Sequence, residues 1–340
     1  MKKQALISSV LALLLLLPSC SRRKTERDPT ADTGGGKTVS EILADRDRTE
    51  PEFFVDGTGY ARKKDVTAVL FMGIDKAGDN ETANPMTGGQ CDVLLLLVND
   101  GEEKRQTILQ INRDTMTEVE LLDANGKPTG ITKTQQICFS HTYGRGDEKS
   151  CENTVRAVSR LLGEFGEIGI EGYVALLYEA IPSLNDRVGG VEVKVTDDLT
   201  SADPALKAGS TVTLRGSQTL AFIRSRMSVA DGTNKNRMGR QRTYLSAFSA
   251  KLKAMMKENA SVVNDLYADA EPYMVTNLSV GRVSSIAVEG ADYANGGILA
   301  PEGEYTEHEY ATGATHVEFR PDETSLREAV LALFYKPVSP

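Results

Sequence analysis

Three apolar runs in the first half of the chain each begin or end on charged residues. Val66 to Met72 closes at Gly73-Ile74-Asp75, Cys91-Asp92 opens the run Val93 to Val98, and Gln106 to Asn112 closes at Arg113-Asp114. Asn99-Asp100-Gly101 is a turn signal that folds the second and third runs into an antiparallel hairpin. If the first run also pairs antiparallel with the second, Asp75, Asp92, Arg113 and Asp114 collect at one end of a sheet. Ligands of α/β sheets sit outside strand ends. Taken singly, each residue is a turn former or a surface charge; their convergence is what points to a site.

A second group is basic. Arg224, Arg226, Lys235, Arg237, Arg240 and Arg242 face only Asp231 in a chain whose net charge is −9. Met238 to Met256 reads as a long amphipathic helix, with Leu245, Phe248, Leu252 and Met255 on its core side. At 100° per residue, Gln241 lies ~40° from Arg237 and Arg240 ~60° the other way. Arg237 and Gln241 thus share the core-facing side, whereas Arg242 is expected to point into solvent. Guanidinium forks at a helix start match phosphate oxygens. Carboxylates beside phosphates suit Mg²⁺, which takes a few carboxylates plus phosphate oxygens. The two groups together therefore suggest a pyrophosphate–Mg²⁺ site.

The elements needed to position these residues follow from periodicity. Val191 to Val195 alternates as a half-buried strand does. Helices are expected over a segment capped by Ser150, over Gly172 to Leu184, from Ser217 to Ile223, and from Ser325 to Phe334. Interleaved strands and helices predict a three-layer α/β/α domain around a central mixed sheet containing the antiparallel hairpin.

Residues 1–19 carry an export signal: Lys2 and Lys3, then the uncharged, Leu-rich stretch Ala5 to Leu17. That stretch is shorter than the ~20 residues a membrane-spanning helix needs. Leu17-Pro18-Ser19-Cys20 ends it as a lipoprotein signal does, so Cys20 is expected to be acylated and to hold the chain at a membrane surface. Residues 20–64 read as a flexible linker. Within it ADTGGGKT (31–38) mimics a phosphate loop but has no buried strand before it. Residues 65–340 form the folded part, with a core at 65–255 and a helical extension at 256–340. Acidity argues against nucleic acid as a partner. Cys138 and Cys151 flank the Gly-rich turn Tyr143 to Gly146 and are predicted to form a disulfide, which leaves Cys91 free or paired with another molecule.

In this order VLFMGIDK (69–76), CDVLLLLV (91–98), ILQINRDT (108–115), HTYG (141–144), Val188-Gly189-Gly190-Val191, GSQTLAFIRSR (216–226) and NRMGRQR (236–242) resemble the LytR-CpsA-Psr family of cell-envelope enzymes. The resemblance implies a phosphotransferase on the extracytoplasmic face of the bacterial cytoplasmic membrane. It would move a phosphate-linked glycopolymer from a polyprenyl-pyrophosphate carrier to peptidoglycan with Mg²⁺. Carried over by position, Asp75 and Asp92 would serve the metal. Arg113, Arg224, Arg226, Arg237 and Arg240 would bind phosphates, Gln241 would orient them, and Asp75 or Asp92 would take the acceptor's proton.

Two positions depart from the family pattern. Lys76 stands where Arg is common, and Gln90-Cys91 where Arg-Ser is, which removes guanidinium forks. A hydrolase acting on the same carrier differs only in the source of the hydroxyl. A non-catalytic carrier-lipid or glycan binder would need the arginines but not the carboxylates. A solute-binding lipoprotein fits less well, because no two-lobed repeat is visible, and export with acidity excludes a transcriptional regulator.

Overall fold

The computed structural model describes residues 50–76, 86–163, 165–166, 168–225, 234–259, 262–291, 293–309 and 315–338. The expected export signal over residues 1–19, Cys20, the 31–38 segment and Arg226 lie outside the described residues. No described helix is long and apolar enough to cross a membrane.

In chain order the strands are β1 (Phe53–Val55), β2 (Thr58–Arg62), β3 (Val66–Ile74), β4 (Cys91–Asp100), β5 (Arg105–Ile111), β6 (Met116–Leu122) and β7 (Pro128–Gln136). A 3-10 turn, Ile137–Thr142, leads into α1 (Glu148–Gly163). Then come β8 (Gly172–Leu177), α2 (Ile181–Arg187), β9 (Val191–Lys194), β10 (Thr211–Leu214), α3 (Ser217–Arg224) and α4 (Asn234–Glu258). The C-terminal third holds α5 (Val262–Ala270), β11 (Met274–Thr276), α6 (Val280–Ala291), β12 (Ala294–Leu299), β13 (Gly303–Glu309), β14 (Thr315–Pro321), α7 (Glu323–Phe334) and β15 (Tyr335–Val338).

The central sheet has six strands in the order β11-β8-β3-β4-β5-β12. β3 and β5 both run antiparallel to β4, while β8 lies parallel to β3 and β12 parallel to β5. Alternate residues serve opposite faces, as the pleat requires. Leu70, Met72, Leu94, Leu96 and Leu109 pack on Val158 and Leu162 of α1 and on Val330 and Phe334 of α7. Val69, Phe71, Leu95 and Leu97 face Val283 and Ile286 of α6 and Tyr267 of α5. The expected three layers around a mixed sheet are therefore present.

Three local expectations are corrected. Gly172 to Leu184 is not one helix: its first part is β8, a continuous apolar run buried between two layers, which periodicity cannot distinguish from buried helix. Phe53 to Arg62 looked like linker by composition but forms β1 and β2. β2 pairs with β15, and Phe53 stacks near Tyr60 and sits edge-on to Tyr335. The C-terminal extension is not only helical, since β11 and β12 supply both edges of the central sheet.

Candidate functional site

β3 and β4 meet in a long antiparallel register, with a shift between Gly73 and Ile74 that sets Ile74 opposite Cys91. This places Asp75 at the entry of β4: its N–H donates to the Gln90 carbonyl at 3.1 Å, and its Oδ1 accepts the Gln90 N–H at 2.6 Å. The turn is tight enough to require glycine. Gly89 has φ +75°, and a Cβ there would sit 2.4 Å from the Lys76 carbonyl oxygen. His141 secures the same turn, with its ring Nδ1 2.8 Å from the Gly88 carbonyl oxygen and its Nε2 3.7 Å from the Cys151 sulfur. Nδ1 is therefore the protonated nitrogen, and the thiol donates to Nε2. Burial lowers the His141 pKa to about 4, so the ring is neutral near pH 7.

Asp92, Arg113 and Arg237 form the centre. One Asp92 oxygen takes Arg113 Nη1, and the other lies 3.4 Å from Arg237 Nη1. All three side chains are buried. Arg113 is committed elsewhere too: Nη2 donates to Gln90 Oε1 at 2.7 Å and to Cys138 Sγ at 3.0 Å, and Nε lies 3.2 Å from Asp114. Arg237 Nε donates to Asn234 Oδ1 at 2.8 Å. Its Nη2, however, has no partner among the described residues although it is buried, and the same holds for Tyr178 Oη. Burial draws the Arg237 pKa down, and burial raises that of Tyr178. Two desolvated donors thus stand without acceptors beside the Asp92 cluster.

Beside Tyr178 lies a cavity of about 100 Å³ between the sheet and the helices. Phe71, Val93, Leu95 and Val174 line it from the sheet, and Ile223 and Leu245 from α3 and α4. Tyr178 and Gln241 also border it, so an almost wholly apolar chamber adjoins one of the two unpaired donors. Such a chamber suits a hydrocarbon chain whose head is anionic.

The remaining basic residues divide. Arg224 is exposed, its guanidinium 4.7 Å from the centre of the Tyr178 ring. Arg240 is fully buried and spent on the protein: Nε donates to the Phe222 carbonyl at 2.9 Å, Nη2 to the Ser225 carbonyl, and Nη1 pairs with Asp197. It pins the end of α3, which presents Arg224, rather than offering donors to a ligand. Gln241 is buried, within 3.5 Å of the Ile223 carbonyl and 3.4 Å of Gln110. Arg242 is corrected: it is half-buried, not solvated, and donates to Gln110 Oε1 at 2.7 Å.

The Cys138–Cys151 disulfide is corrected as well, because Cys91, Cys138 and Cys151 are all free thiols. The turn between them does double back, but Cys138 faces Arg113 and Cys151 faces His141. Burial pushes the Cys138 thiol up to about 12, so it accepts the Arg113 N–H as a neutral sulfur. Sequence reasoning missed Tyr178, Gln90 and Asn234. Tyr178 was hidden by the helical reading of its segment, and the two amides contribute only through tertiary contacts.

No group of three or more His, Cys, Asp or Glu side chains among the described residues could hold a metal by itself. Asp92 has both oxygens on guanidiniums and Asp75 has one on the Gln90 N–H, so a Mg²⁺ ion here would draw most of its shell from phosphate oxygens and water.

The fold is thus an α/β domain whose sheet end gathers two buried arginines and a carboxylate near an apolar chamber. Comparison with known proteins places it: the LytR_cpsA_psr family pattern matches residues 32–323, and the chain belongs to that family. Similar relatives include the Bacillus subtilis polyisoprenyl-teichoic acid–peptidoglycan teichoic acid transferase TagV, 23% identical over 77% of this chain and 68% of its own. The transferase TagU of Bacillus cereus is 26% identical over 64% of this chain and 62% of its own, so the chain spans less than two thirds of that relative. The solved structure of TagT bound to LI-WTA superposes with a TM-score of 0.57 at 22% identity, covering 84% of this chain and 96% of that one. B. subtilis TagV superposes with a TM-score of 0.57 at 22% identity over 79% and 97%. These likenesses show a shared fold.

Proposed function

We propose that this chain transfers a phosphate-linked glycopolymer from a polyprenyl-pyrophosphate carrier to a peptidoglycan hydroxyl. The observation that supports this reading best is an apolar chamber bordered by Tyr178, whose Oη, like the nearby Arg237 Nη2, is buried without a partner among the described residues. Polyprenyl chain and diphosphate ask for those two environments side by side. The names of TagV and TagU agree with it.

In this reading the polyprenyl tail occupies the chamber, and Arg237, Tyr178 and the exposed Arg224 take the diphosphate oxygens. The acceptor hydroxyl attacks the phosphorus that carries the glycan; a new phosphodiester P–O bond forms as the bond to the bridging oxygen breaks, and polyprenyl phosphate leaves. Both Asp92 oxygens are held by guanidiniums. Half-buried Asp75, with one oxygen on the Gln90 N–H, is therefore the better placed carboxylate to receive the hydroxyl proton. Asp75, together with Asp92 once its long 3.4 Å contact to Arg237 is given up to the diphosphate, would hold Mg²⁺, which would supply positive charge to the phosphate oxygens. The chain acts at the extracytoplasmic membrane face, anchored through acylated Cys20.

The test is incubation of the full chain with a short polyprenyl-pyrophosphate glycan and Mg²⁺, with and without peptidoglycan fragments. Release of polyprenyl phosphate with glycan joined to the fragments is expected, and Asp75→Asn should abolish it. Equal release without fragments would make the chain a hydrolase, and no release under either condition would refute an enzymatic role.

A further inference from the structure

A second cleft, of mixed lining and more polar than the first, lies against α4 where the β13–β14 hairpin comes over the end of β5. It has a volume of about 380 Å³ and is bordered by Asn112, Lys235, Arg242, Glu302, Tyr305 and Phe319, among others. The Tyr305 ring tilts against Phe319 with centroids 4.9 Å apart. An aromatic ring with a hydroxyl, an amide and charged groups around an open cleft suits a hydroxyl-rich chain. Two cations against one carboxylate favour a negatively charged one. The Arg242 guanidinium is half-buried with Nη1 on Gln110, so its charge is held in place and partly stripped of water.

The cleft is wired to the Asp92 cluster. Asn112 Nδ2 donates to Tyr305 Oη at 2.7 Å, and Asn234 Nδ2 donates to Asn112 Oδ1 at 2.6 Å. Asn234 Oδ1 in turn accepts Arg237 Nε at 2.8 Å, and Arg237 Nη1 lies 3.4 Å from Asp92. Asn112, which borders the cleft, therefore holds the Asn234 side chain that sets the diphosphate arginine. Gln241 and Arg242, adjacent on α4, border the apolar chamber and the cleft respectively.

We propose that this cleft binds an anionic saccharide unit of one of the two glycans that meet at the site. The identity of the glycan rests on the transferase reading; the binding itself does not. A muramic-acid carboxylate on the acceptor and a phosphodiester in the donor polymer present the same chemistry, a negative group on a hydroxyl-rich chain.

Calorimetric titration of the full chain in detergent tests this with a muramic-acid-containing oligosaccharide, a glycerol phosphate oligomer and neutral tri-N-acetylglucosamine. Inorganic pyrophosphate is titrated in parallel to report on the Arg237 cluster. At least one anionic probe should bind, and Arg242→Ala and Lys235→Glu should each weaken it about tenfold or more. Pyrophosphate affinity should change less than about twofold. Lys235 is exposed, so its variant keeps the test open even if Arg242→Ala does not fold. The anionic probe that responds identifies the source. Failure of both anionic probes to bind, indifference to both variants, or equal binding of the neutral probe would overturn the proposal. Loss of pyrophosphate binding by the unaltered chain would instead count against the transferase site and leave the cleft result readable.

Discussion

Replacing Arg237 by Ala should separate binding from folding. The side chain is 4% exposed and has three nitrogens in different circumstances. Nε holds Asn234, Nη1 lies at 3.4 Å from Asp92, and Nη2 has no partner among the described residues. For the folded protein the substitution removes one good hydrogen bond and one long ion pair, while relieving the burial of an unsatisfied donor. Asp92 keeps Arg113. The net stability loss should then be near the ~1 kcal/mol of a single hydrogen bond. For a bound diphosphate the loss is larger, because Nη2 is the donor left for the ligand. One charge-assisted hydrogen bond is worth ~1.5–3 kcal/mol, which is roughly 10- to 150-fold in Kd. The assay is calorimetric titration with geranylgeranyl pyrophosphate and with inorganic pyrophosphate, alongside urea unfolding of the same variant. Both ligands should weaken by the same factor, since the fork touches only the head. A folded Arg237→Ala protein that binds either ligand within about twofold of the unaltered chain would refute the assignment.

Arg240→Ala should behave oppositely: it breaks a buried pair with Asp197 and frees two carbonyls, so urea unfolding should show a loss of ~3–5 kcal/mol. A stable Arg240→Ala protein would show that the pin is not needed. His141 gives a pH dependence. Its folded pKa is about 4 against an ordinary 6.5, so the unfolded chain binds the proton more readily. Its contribution is complete above pH 6.5 and is lost as pH falls towards 4, amounting to ~3 kcal/mol. Unfolding free energies measured between pH 7.5 and 4 should show this slope, and His141→Asn should flatten it. At the N-terminus, Cys20→Ser should block fatty-acid labelling and leave an uncleaved precursor; label retained in the variant would dismiss that anchor.

The sequence by itself determined the convergence of Asp75, Asp92 and Arg113. Strand ends and an Asn-Asp-Gly turn are local signals, and a hairpin register carries them over short distances to one sheet end. It also placed Arg237 and Gln241 on the inner side of α4, because 100° per residue is a property of the helix alone. Tertiary structure decided what those side chains meet. Arg240 and Arg237 are three residues apart and chemically identical, yet one is consumed by the end of α3 and the Asp197 carboxylate while the other keeps a buried Nη2 with no partner among the described residues. Cys138 and Cys151 are near in sequence, but a guanidinium and an imidazole claim them separately. Arg242 points away from the core stripe as helical geometry requires, and only the arrival of the β13–β14 hairpin turns that direction into the wall of a cleft. Strand β8 escaped the sequence for a related reason. Burial on both faces erases the alternation that marks a strand, and that burial exists only once the layers have assembled.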